Sequence, residues 1–240
     1  MLSTFRAPGG GRPRGWRPGT DCGVVMTLVC LAGLAFASAA LRAAEPAVID
    51  ALAQGIDGWT IDGAGQAPTE PGAMPVWTFA DGVVRCTGKG FGFLRFDRPL
   101  EDFRLELEYR FPKKGNSGIG IRTIPFNGKL ETRPSFAAYE VQLLSDAGSP
   151  PNKGCCGSLY RYVAPSANPS RPVGEWNSMR IECQGPRIRI THNGTEIIDF
   201  DQTTLADTAK KPLRGNVCLQ NHGSAVEFRN IRITEILGSR

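Results

Sequence analysis

Residues Phe103 to Phe111 read FRLELEYRF, and this stretch decides the fold. Every second residue is apolar, and every residue between them is charged. Successive side chains of a β-strand point to opposite faces, so a period of two predicts a strand with one buried and one solvated face. Antiparallel sheets commonly show this division, and the stretch therefore indicates a half-buried antiparallel strand.

Similar alternation recurs along most of the chain, whereas amphipathic helical patterns are nearly absent after residue 54. Asn193-Gly194 separates two alternating runs, and such a loop is a strong hairpin signal because both residues of a type I′ turn need positive φ. The sequence therefore predicts an all-β jelly roll, a β-sandwich of two curved antiparallel sheets, with a closed barrel as the alternative. The further alternating runs are Ser117–Arg122, Tyr139–Leu144, Met179–Cys183, Arg187–His192, Thr195–Phe200, Val217–His222 and Val226–Ile233.

The first 44 residues have the pattern of an export signal. Four arginines precede an uncharged apolar run from Val24 to Leu41, and Ala37-Ser38-Ala39 offers the small residues that a signal peptidase needs. We therefore predict a signal peptide over 1–44, a single domain over 45–240, and an exported protein in the periplasm or outside the cell. The alternative is an uncleaved membrane anchor, since the apolar run is just long enough to span a thinned bilayer.

The positive charge of the chain belongs mostly to this leader. The whole chain has a net charge of +5, and residues 1–43 hold five arginines and one aspartate, so the remainder carries about +1. This balance gives no argument for nucleic acid as a partner, and a membrane would be contacted only through an uncleaved leader. The oligomeric state is not indicated.

The cysteines that follow the leader are odd in number. At least one thiol is therefore free or paired with another chain, and the sequence leaves the pairing open. No Cys-x-x-Cys pair occurs, so a zinc ribbon has no support. The five residues are Cys86, Cys155, Cys156, Cys183 and Cys218.

Polar residues that interrupt the alternation are the candidates for function. Glu140 and Gln142 share one face of a strand, where a carboxylate beside an amide suits hydroxyl recognition, metal ligation or proton transfer. Gln220 and His222 likewise share a face, opposite to the apolar residues of their strand. His192 ends the first strand of the predicted hairpin, and we expect it to be solvated.

Two loop-flanked segments add further candidates. Asn116 precedes a strand whose outward face is two glycines and Arg122, and small residues would let a ligand lie against the backbone beside the guanidinium. A long loop over 146–160 contains Lys153 and Tyr160, and such loops often carry ligand contacts. Neither a Ser-His-Asp order nor a Gly-rich phosphate loop is recognisable.

Short motifs in a fixed order extend over nearly the whole chain after the leader. They are Gly58-Trp59-Thr60, Asp102-Phe103-Arg104-Leu105, Glu108-Tyr109-Arg110, Asn116-Ser117-Gly118, Ile121-Arg122, Tyr139-Glu140-Val141-Gln142, Gly157-Ser158-Leu159-Tyr160, Gly174-Glu175-Trp176-Asn177, Asn193-Gly194, Leu219-Gln220, His222-Gly223 and Phe228-Arg229-Asn230-Ile231. From Trp59 to Ile236 the chain thereby resembles the 3-keto-disaccharide hydrolase domain family. The Cys155-Cys156 pair departs from the family pattern, as does a short hairpin before Asn193.

The resemblance implies a concanavalin-like jelly roll and an enzyme, a glycoside hydrolase or lyase, that cleaves 3-keto-glycosides such as 3-keto-disaccharides. A ketone at C3 of a sugar acidifies the proton on C2. A base removes that proton, the leaving group departs from C1 by β-elimination, and water then adds. A divalent metal ion, whose identity is not indicated, would serve as a Lewis acid at the C3 oxygen.

The same resemblance suggests roles for the candidate residues. Glu140 and His222 would be the base and the metal ligands, in an order that is not assigned, and Arg122 would stabilise the oxyanion. The expected ligand is a carbohydrate, and the residues expected to bind it are Asn116, Gln142, Tyr160, Gln220 and Lys153.

Two other functions remain open at this point because jelly rolls host both enzymes and binding proteins. One is a non-catalytic carbohydrate-binding module of the cell envelope, for which Trp59, Trp77 and Trp176 would be the stacking candidates. The other is a structural or adhesion domain, which predicts no polar pocket around Arg122, Glu140 and His222.

Overall fold

Two antiparallel β-sheets form the fold in the computed structural model, which describes residues 47–63 and 75–236. The predicted all-β jelly roll of two sheets is confirmed, and the closed-barrel alternative is wrong because the strands form two separate sheets. The predicted signal peptide over 1–44 lies outside the described residues. Within them, no helix combines the length and the apolar character that crossing a membrane requires.

The strands are short and follow one another with few helical interruptions. They are β1 (Val48–Asp50), β2 (Trp59–Gly63), β3 (Trp77–Ala80), β4 (Val83–Cys86), β5 (Phe91–Phe96), β6 (Phe103–Arg110), β7 (Asn116–Thr123), β8 (Tyr139–Leu144), β9 (Asn177–Gln184), β10 (Arg187–His192), β11 (Thr195–Asp201), β12 (Asn216–His222) and β13 (Val226–Glu235). The helical segments are a 3₁₀ turn at Leu130–Thr132, the short helix α1 at Pro134–Ala137, and a second 3₁₀ turn at Gln202–Thr204.

The larger sheet has eight strands and the smaller has five. The larger follows the order β11-β10-β9-β6-β13-β4-β3, and β1 pairs with the end of β13 that β4 leaves open. The smaller follows the order β2-β5-β12-β7-β8. Neighbouring strands come from distant parts of the chain in both sheets, which brings residues near 90, 118, 140 and 220 onto one sheet.

Strand β6, which carries the alternation over Phe103–Arg110, lies in the middle of the larger sheet, between β9 and β13. Its apolar residues are at most 3% exposed, and each such side chain gains about 1.5–3 kcal/mol by burial. Its charged residues form cross-strand ion pairs, such as Arg104 Nε with Glu182 Oε1 at 2.6 Å. Exposed pairs contribute at most about 1 kcal/mol each, so the buried face decides the register.

The Asn193-Gly194 hairpin is confirmed, with φ of 47° and 81° at its two residues. The expectation that His192 is solvated is wrong, since this side chain is fully buried and its Nε2 lies 3.1 Å from the hydroxyl of Tyr109. His192 has the same parity as Ile188 and Ile190, so it shares their buried face. Burial, assisted by the charge of Arg171, lowers its pKa to about 4.

All five cysteines after the leader are buried free thiols in the described residues. Cys155 hydrogen-bonds through Sγ to the backbone oxygen of Asn152, while the sulfur of Cys156 lies 3.1 Å from the Tyr109 hydroxyl. The two neighbouring side chains thus have different partners. Burial raises the thiol pKa to about 12 for Cys183 and Cys218. The sequence left the pairing of the five cysteines open, and among the described residues none of them forms a disulfide.

Candidate functional site

A pocket of about 290 Å³ lies on the face of the smaller sheet that is turned away from the core. Strands β5, β7, β8 and β12 form its floor, and the segment around α1 and the loop after residue 159 form its walls. Its lining residues are Phe91, Asn116, Leu130, Arg133, Ser135, Phe136, Glu140, Gln142, Tyr160, Arg161, Gln220 and His222.

Strand register explains why the polar residues of the floor meet. Gly118 of β7 is opposite Gln142 of β8, and Gly120 is opposite Glu140. A Cβ at Gly118 would lie 2.8 Å from Glu140 Oε1, so the glycine leaves the space that the carboxylate occupies. The expectation that these glycines let a ligand lie against the backbone is therefore wrong, since the Glu140 and Cys218 side chains fill that space.

Glu140 is the buried carboxylate of the pocket. It is 6% exposed, and Gln220 donates a hydrogen bond from Nε2 to its Oε1 at 3.0 Å. Burial raises the pKa of Glu140 to about 7, although hydrogen bonds from Gln220 and Ser135 and the charge of Arg133 oppose the rise. A carboxyl group with this pKa is half ionised near neutral pH and can both accept and return a proton.

The second polar group of the floor is a chain of three side chains. Gln142 Nε2 donates to Asn116 Oδ1 at 3.3 Å, and Asn116 Nδ2 lies 3.4 Å from His222 Nδ1. The imidazole also packs edge-on against Phe91, with 5.4 Å between ring centroids. The predicted candidates Asn116, Gln142 and His222 therefore lie together on the floor and are joined by these contacts.

Two buried polar atoms of the pocket have no hydrogen-bond partner among the described residues: Arg133 Nε and Gln220 Oε1. Gln220 uses its amide nitrogen to hold Glu140, so its free oxygen is an acceptor for a ligand hydroxyl. Arg133 lies with its guanidinium carbon 4.3 Å from the centroid of the Phe91 ring and is the positive charge beside Glu140. Buried polar groups are rarely left unpaired, so these two atoms are candidates for contact with a ligand.

Arg133 lines the pocket but was not among the residues predicted from the sequence. This residue stands in a loop just before α1, where no alternation shows which way a side chain points. The one local signal is Pro134, directly after it, which favours the first position of a helix and pushes the residue before it into an extended conformation.

The structure does not bring Arg122 into the pocket, which corrects its expected place beside the ligand. Its side chain is fully buried, and Nη2 donates to the backbone oxygens of Gly185 at 2.7 Å and Glu101 at 3.3 Å. Nη1 donates to Gln202 Oε1 at 3.4 Å. Arg122 thus joins three loops at one end of the sandwich, and its role there is structural.

The loop over 146–160 contributes one of its two candidates. Tyr160 lines the pocket, and its backbone nitrogen donates to the backbone oxygen of Glu140 at 2.8 Å. Lys153 is exposed and does not line the pocket, contrary to the expectation for it. Its backbone oxygen instead accepts from Arg161, so Lys153 helps to shape the loop that carries Tyr160.

The pocket offers few donors for a metal ion. Within the described residues, no group of three or more His, Cys, Asp or Glu side chains is arranged to hold one. Glu140 and His222 are two such donors, and resident metal sites usually have three or four protein ligands. The donor set therefore does not fit a protein-held metal, and the divalent ion remains a prediction from the resemblance.

Comparison with known proteins identifies the family. A sequence model described as the 3-keto-alpha-glucoside-1,2-lyase-like domain matches residues 52–234, about three quarters of the chain. The chain belongs to this family. The resemblance that was recognised in the motifs from Trp59 to Ile236 is thereby confirmed.

A 3-keto-disaccharide hydrolase from Bacteroides thetaiotaomicron is 25% identical in an alignment of length 220, which covers 74% of this chain and 74% of the relative. A crystal structure from Parabacteroides distasonis, described as a glycosyl hydrolase, has a TM-score of 0.60 at 24% identity and covers 74% of this chain and 99% of its own. A Bacillus subtilis protein with a galectin-like fold has a TM-score of 0.53 at 12% identity, covering 80% of this chain and 97% of its own. The two structures show the shared fold, and the family and its relatives support a function that involves carbohydrates.

Proposed function

We propose that the protein is an enzyme that cleaves 3-keto-glycosides, with Glu140 as the base. The observation that carries this proposal is a buried carboxylate whose pKa is raised to about 7, held in a pocket beside a guanidinium with a free donor. Proton abstraction next to a ketone needs both groups, a base matched to neutral pH and a positive charge for the oxyanion.

The first step is removal of the C2 proton of the keto sugar. The electron pair of the C2–H bond moves toward C3, and its carbonyl oxygen becomes an enolate oxygen. Glu140 Oε1 is held by Gln220, so the carboxylate is oriented before the substrate arrives. Such preorganised geometry accounts for a large part of the rate enhancement in enzymes.

Arg133 is the group that would stabilise the enolate. Its Nε is buried without a partner, and its guanidinium is fixed over the Phe91 ring. A donor in that position needs no reorganisation when charge develops on the C3 oxygen. Arg133 therefore takes the role that the resemblance suggested for Arg122, whose guanidinium is buried among backbone oxygens instead.

Elimination then completes the cleavage. The enolate returns its electrons to form the C1–C2 double bond, the C1–O bond breaks, and the departing oxygen takes the proton from Glu140. Water can next add across the double bond, with its hydroxyl on C1 and a proton on C2, and the net reaction is hydrolysis. Asn116, Gln142 and His222 would hold hydroxyls of the sugar ring, together with the free oxygen of Gln220.

The rival function is a carbohydrate-binding module without catalysis. The tryptophans expected to stack on a sugar in such a module do not line the pocket, and two of them, Trp59 and Trp77, are buried in the core. Trp176 lies between Arg110 and Arg229 on the larger sheet, away from the pocket. A binder also has no need for a carboxyl group held at a pKa of about 7, so the pocket favours the enzyme.

The decisive experiment incubates the purified full chain with 3-keto-trehalose and 3-keto-sucrose and follows 3-keto-glucose by chromatography. Turnover by the native protein and none by Glu140→Gln supports the proposal. Binding of the substrates without turnover would establish the binding module, and unchanged turnover by the variant would reject Glu140 as the base. A parallel arm with a chelator tests the divalent ion, since loss of turnover that added metal restores would establish it.

Export is a further part of the proposal, because the leader pattern over 1–44 and its small-residue site support it. Expression in a bacterial host, followed by mass measurement of the periplasmic fraction, tests the prediction. A mature amino terminus near residue 45 supports a cleaved signal peptide, and a full-length protein in the membrane fraction supports the anchor.

A further inference from the structure

The mouth of the pocket is apolar where its floor is polar. Leu130 is 52% exposed and Phe136 is 38% exposed, although both line the pocket. The guanidinium carbon of Arg161 lies 4.1 Å from the centroid of the Phe136 ring, which is a stacked cation–π pair. We name Leu130, Phe136 and Arg161 the mouth platform.

The backbone of the mouth platform is strained at Arg161, and hydrogen bonds from neighbouring side chains hold its other parts in place. Arg161 has a φ of 73°, a left-handed conformation that is strained for a non-glycine residue. Tyr162 donates from its hydroxyl to the backbone oxygen of Ser135 at 3.3 Å, and Lys211 donates from Nζ to the backbone oxygen of Phe136 at 2.7 Å. The exposed side chain of Arg161 adds little to the stability of the fold that would offset the strain in its backbone. The strained position of Arg161 therefore points to contact with a ligand.

We infer that the mouth platform is the subsite for the leaving half of the substrate and that it takes an aromatic aglycone. This inference rests on the proposed function, since it divides the substrate into a keto sugar on the polar floor and a leaving group at the mouth. The pocket volume of about 290 Å³ is at the lower end of small-molecule sites, so one sugar ring fills it and the rest of the substrate lies over the platform.

The chemistry of the platform favours an aromatic ring over a second sugar. A second sugar would bring several hydroxyls, and only the Arg161 guanidinium of the platform could bind them, since the Leu130 and Phe136 side chains offer neither donors nor acceptors. An aromatic ring has no hydroxyl to satisfy, gains apolar contact with Leu130 and Phe136, and can stack on the free face of the Arg161 guanidinium. The pocket thus has complementary ends for a glycoside that is half sugar and half aromatic.

The experiment compares the benzyl and methyl glycosides of 3-keto-glucose, in both anomers, as substrates for the full chain. Both leaving groups are simple alcohols, so the comparison isolates contact with the aromatic ring from leaving-group chemistry. Native protein should show a benzyl-to-methyl ratio of kcat/KM of about ten, expressed mainly in KM. Phe136→Ala should bring this ratio close to one.

Phe79 provides the matched control. It is 37% exposed, like Phe136, but lies on β3 in the larger sheet. Phe79→Ala should leave the ratio within about twofold of the native value. Arg161→Gly removes the guanidinium and relieves the positive φ, so it should lower the ratio while the protein remains at least as stable.

Three results would overturn the inference. They are a native ratio close to one, an equal fall of the ratio in Phe136→Ala and Phe79→Ala, and a preference for 3-keto-trehalose over the benzyl substrate that Phe136→Ala abolishes. The last result would assign the platform to a second sugar.

A protein without the proposed cleavage activity can be distinguished from one whose mouth platform does not bind an aromatic ring. If the native protein cleaves none of these substrates, calorimetric titration with unoxidised benzyl and methyl glucosides still tests the platform. About tenfold tighter binding of the benzyl compound, lost in Phe136→Ala, would support it. Equal affinities would reject it.

Discussion

Replacement of Glu140 by Gln should stabilise the protein above pH 7 while it removes turnover. The amide has the shape of the carboxyl group and can still accept the hydrogen bond from Gln220. It carries no charge at any pH, so it avoids the cost of burying a carboxylate that is 6% exposed. Stability and activity are therefore expected to change in opposite directions.

The magnitude follows from the pKa of Glu140, which burial raises from 4.5 to about 7. Because the folded value is the higher one, the protonated group favours the folded state, and this contribution is complete below about pH 4.5. It declines as the pH rises toward 7 and is lost above that. At about 1.4 kcal/mol for each pKa unit, the loss is on the order of 3 kcal/mol.

Urea unfolding of both proteins between about pH 4 and pH 9 measures this effect. The difference in unfolding free energy should be near zero at the acidic end, grow in favour of Glu140→Gln up to about pH 7, and then level off. Other titrating groups are common to both proteins and cancel in the difference. A difference that does not vary with pH would show that Glu140 is not held protonated by burial, and the reasoning would fail.

Four further outcomes follow from the site and its surroundings. In the native protein kcat/KM should rise with pH to a plateau above about 7, because Glu140 must be ionised to act as the base; a profile flat from about pH 5 to pH 9 would contradict this. Arg133→Gln should lower kcat about 100- to 1,000-fold in steady-state assays, the usual loss for one oxyanion donor, and a change in KM alone would contradict its role. Gly118→Ala should lower kcat/KM about 10- to 100-fold because its methyl group displaces the carboxylate, with circular dichroism as the control for folding. Arg122→Met should instead cost about 3–5 kcal/mol in urea unfolding and leave the kcat of the folded fraction unchanged, whereas a selective loss of kcat would restore a catalytic role.

The strands were predictable because their period of two is a direct consequence of backbone geometry. The run over Phe103–Arg110 and the turn at Asn193-Gly194 both follow from rules that act over a few residues. The same rule placed Glu140, Gln142, Gln220 and the other floor residues on faces turned away from the core, and the structure brings these candidates into one pocket. Their roles remain proposals.

Arg122 shows where this rule fails. Its parity matches that of Gly118 and Gly120, so alternation places it on the pocket face. The pairing of β7 with β12 shifts register at this point, and Arg122 has a φ of 55°, which turns its side chain away. A bulge of this kind depends on the partner strand, and a single run of sequence does not contain that information.

Loop residues were the least predictable part of the site. Arg133, Phe136 and Arg161 reach the pocket because α1 and the loop after Leu159 meet above the smaller sheet. No periodicity governs such segments, and the contact between them joins residues that are distant in the sequence. Lys153 was a wrong choice for the same reason, since the conformation of its loop decides which side chains face the pocket.

The five buried thiols allow local opening of the native protein to be measured by cysteine labelling. Burial raises the pKa of Cys86 to about 11 and those of Cys183 and Cys218 to about 12, so almost no thiolate is present near neutral pH while the fold is closed. An alkylating reagent can then label a cysteine only when the segment around it opens. The order in which the five sites react, followed by mass spectrometry, would compare the opening of β4, β9 and β12 with that of the loop at Cys155 and Cys156, without any engineered probe.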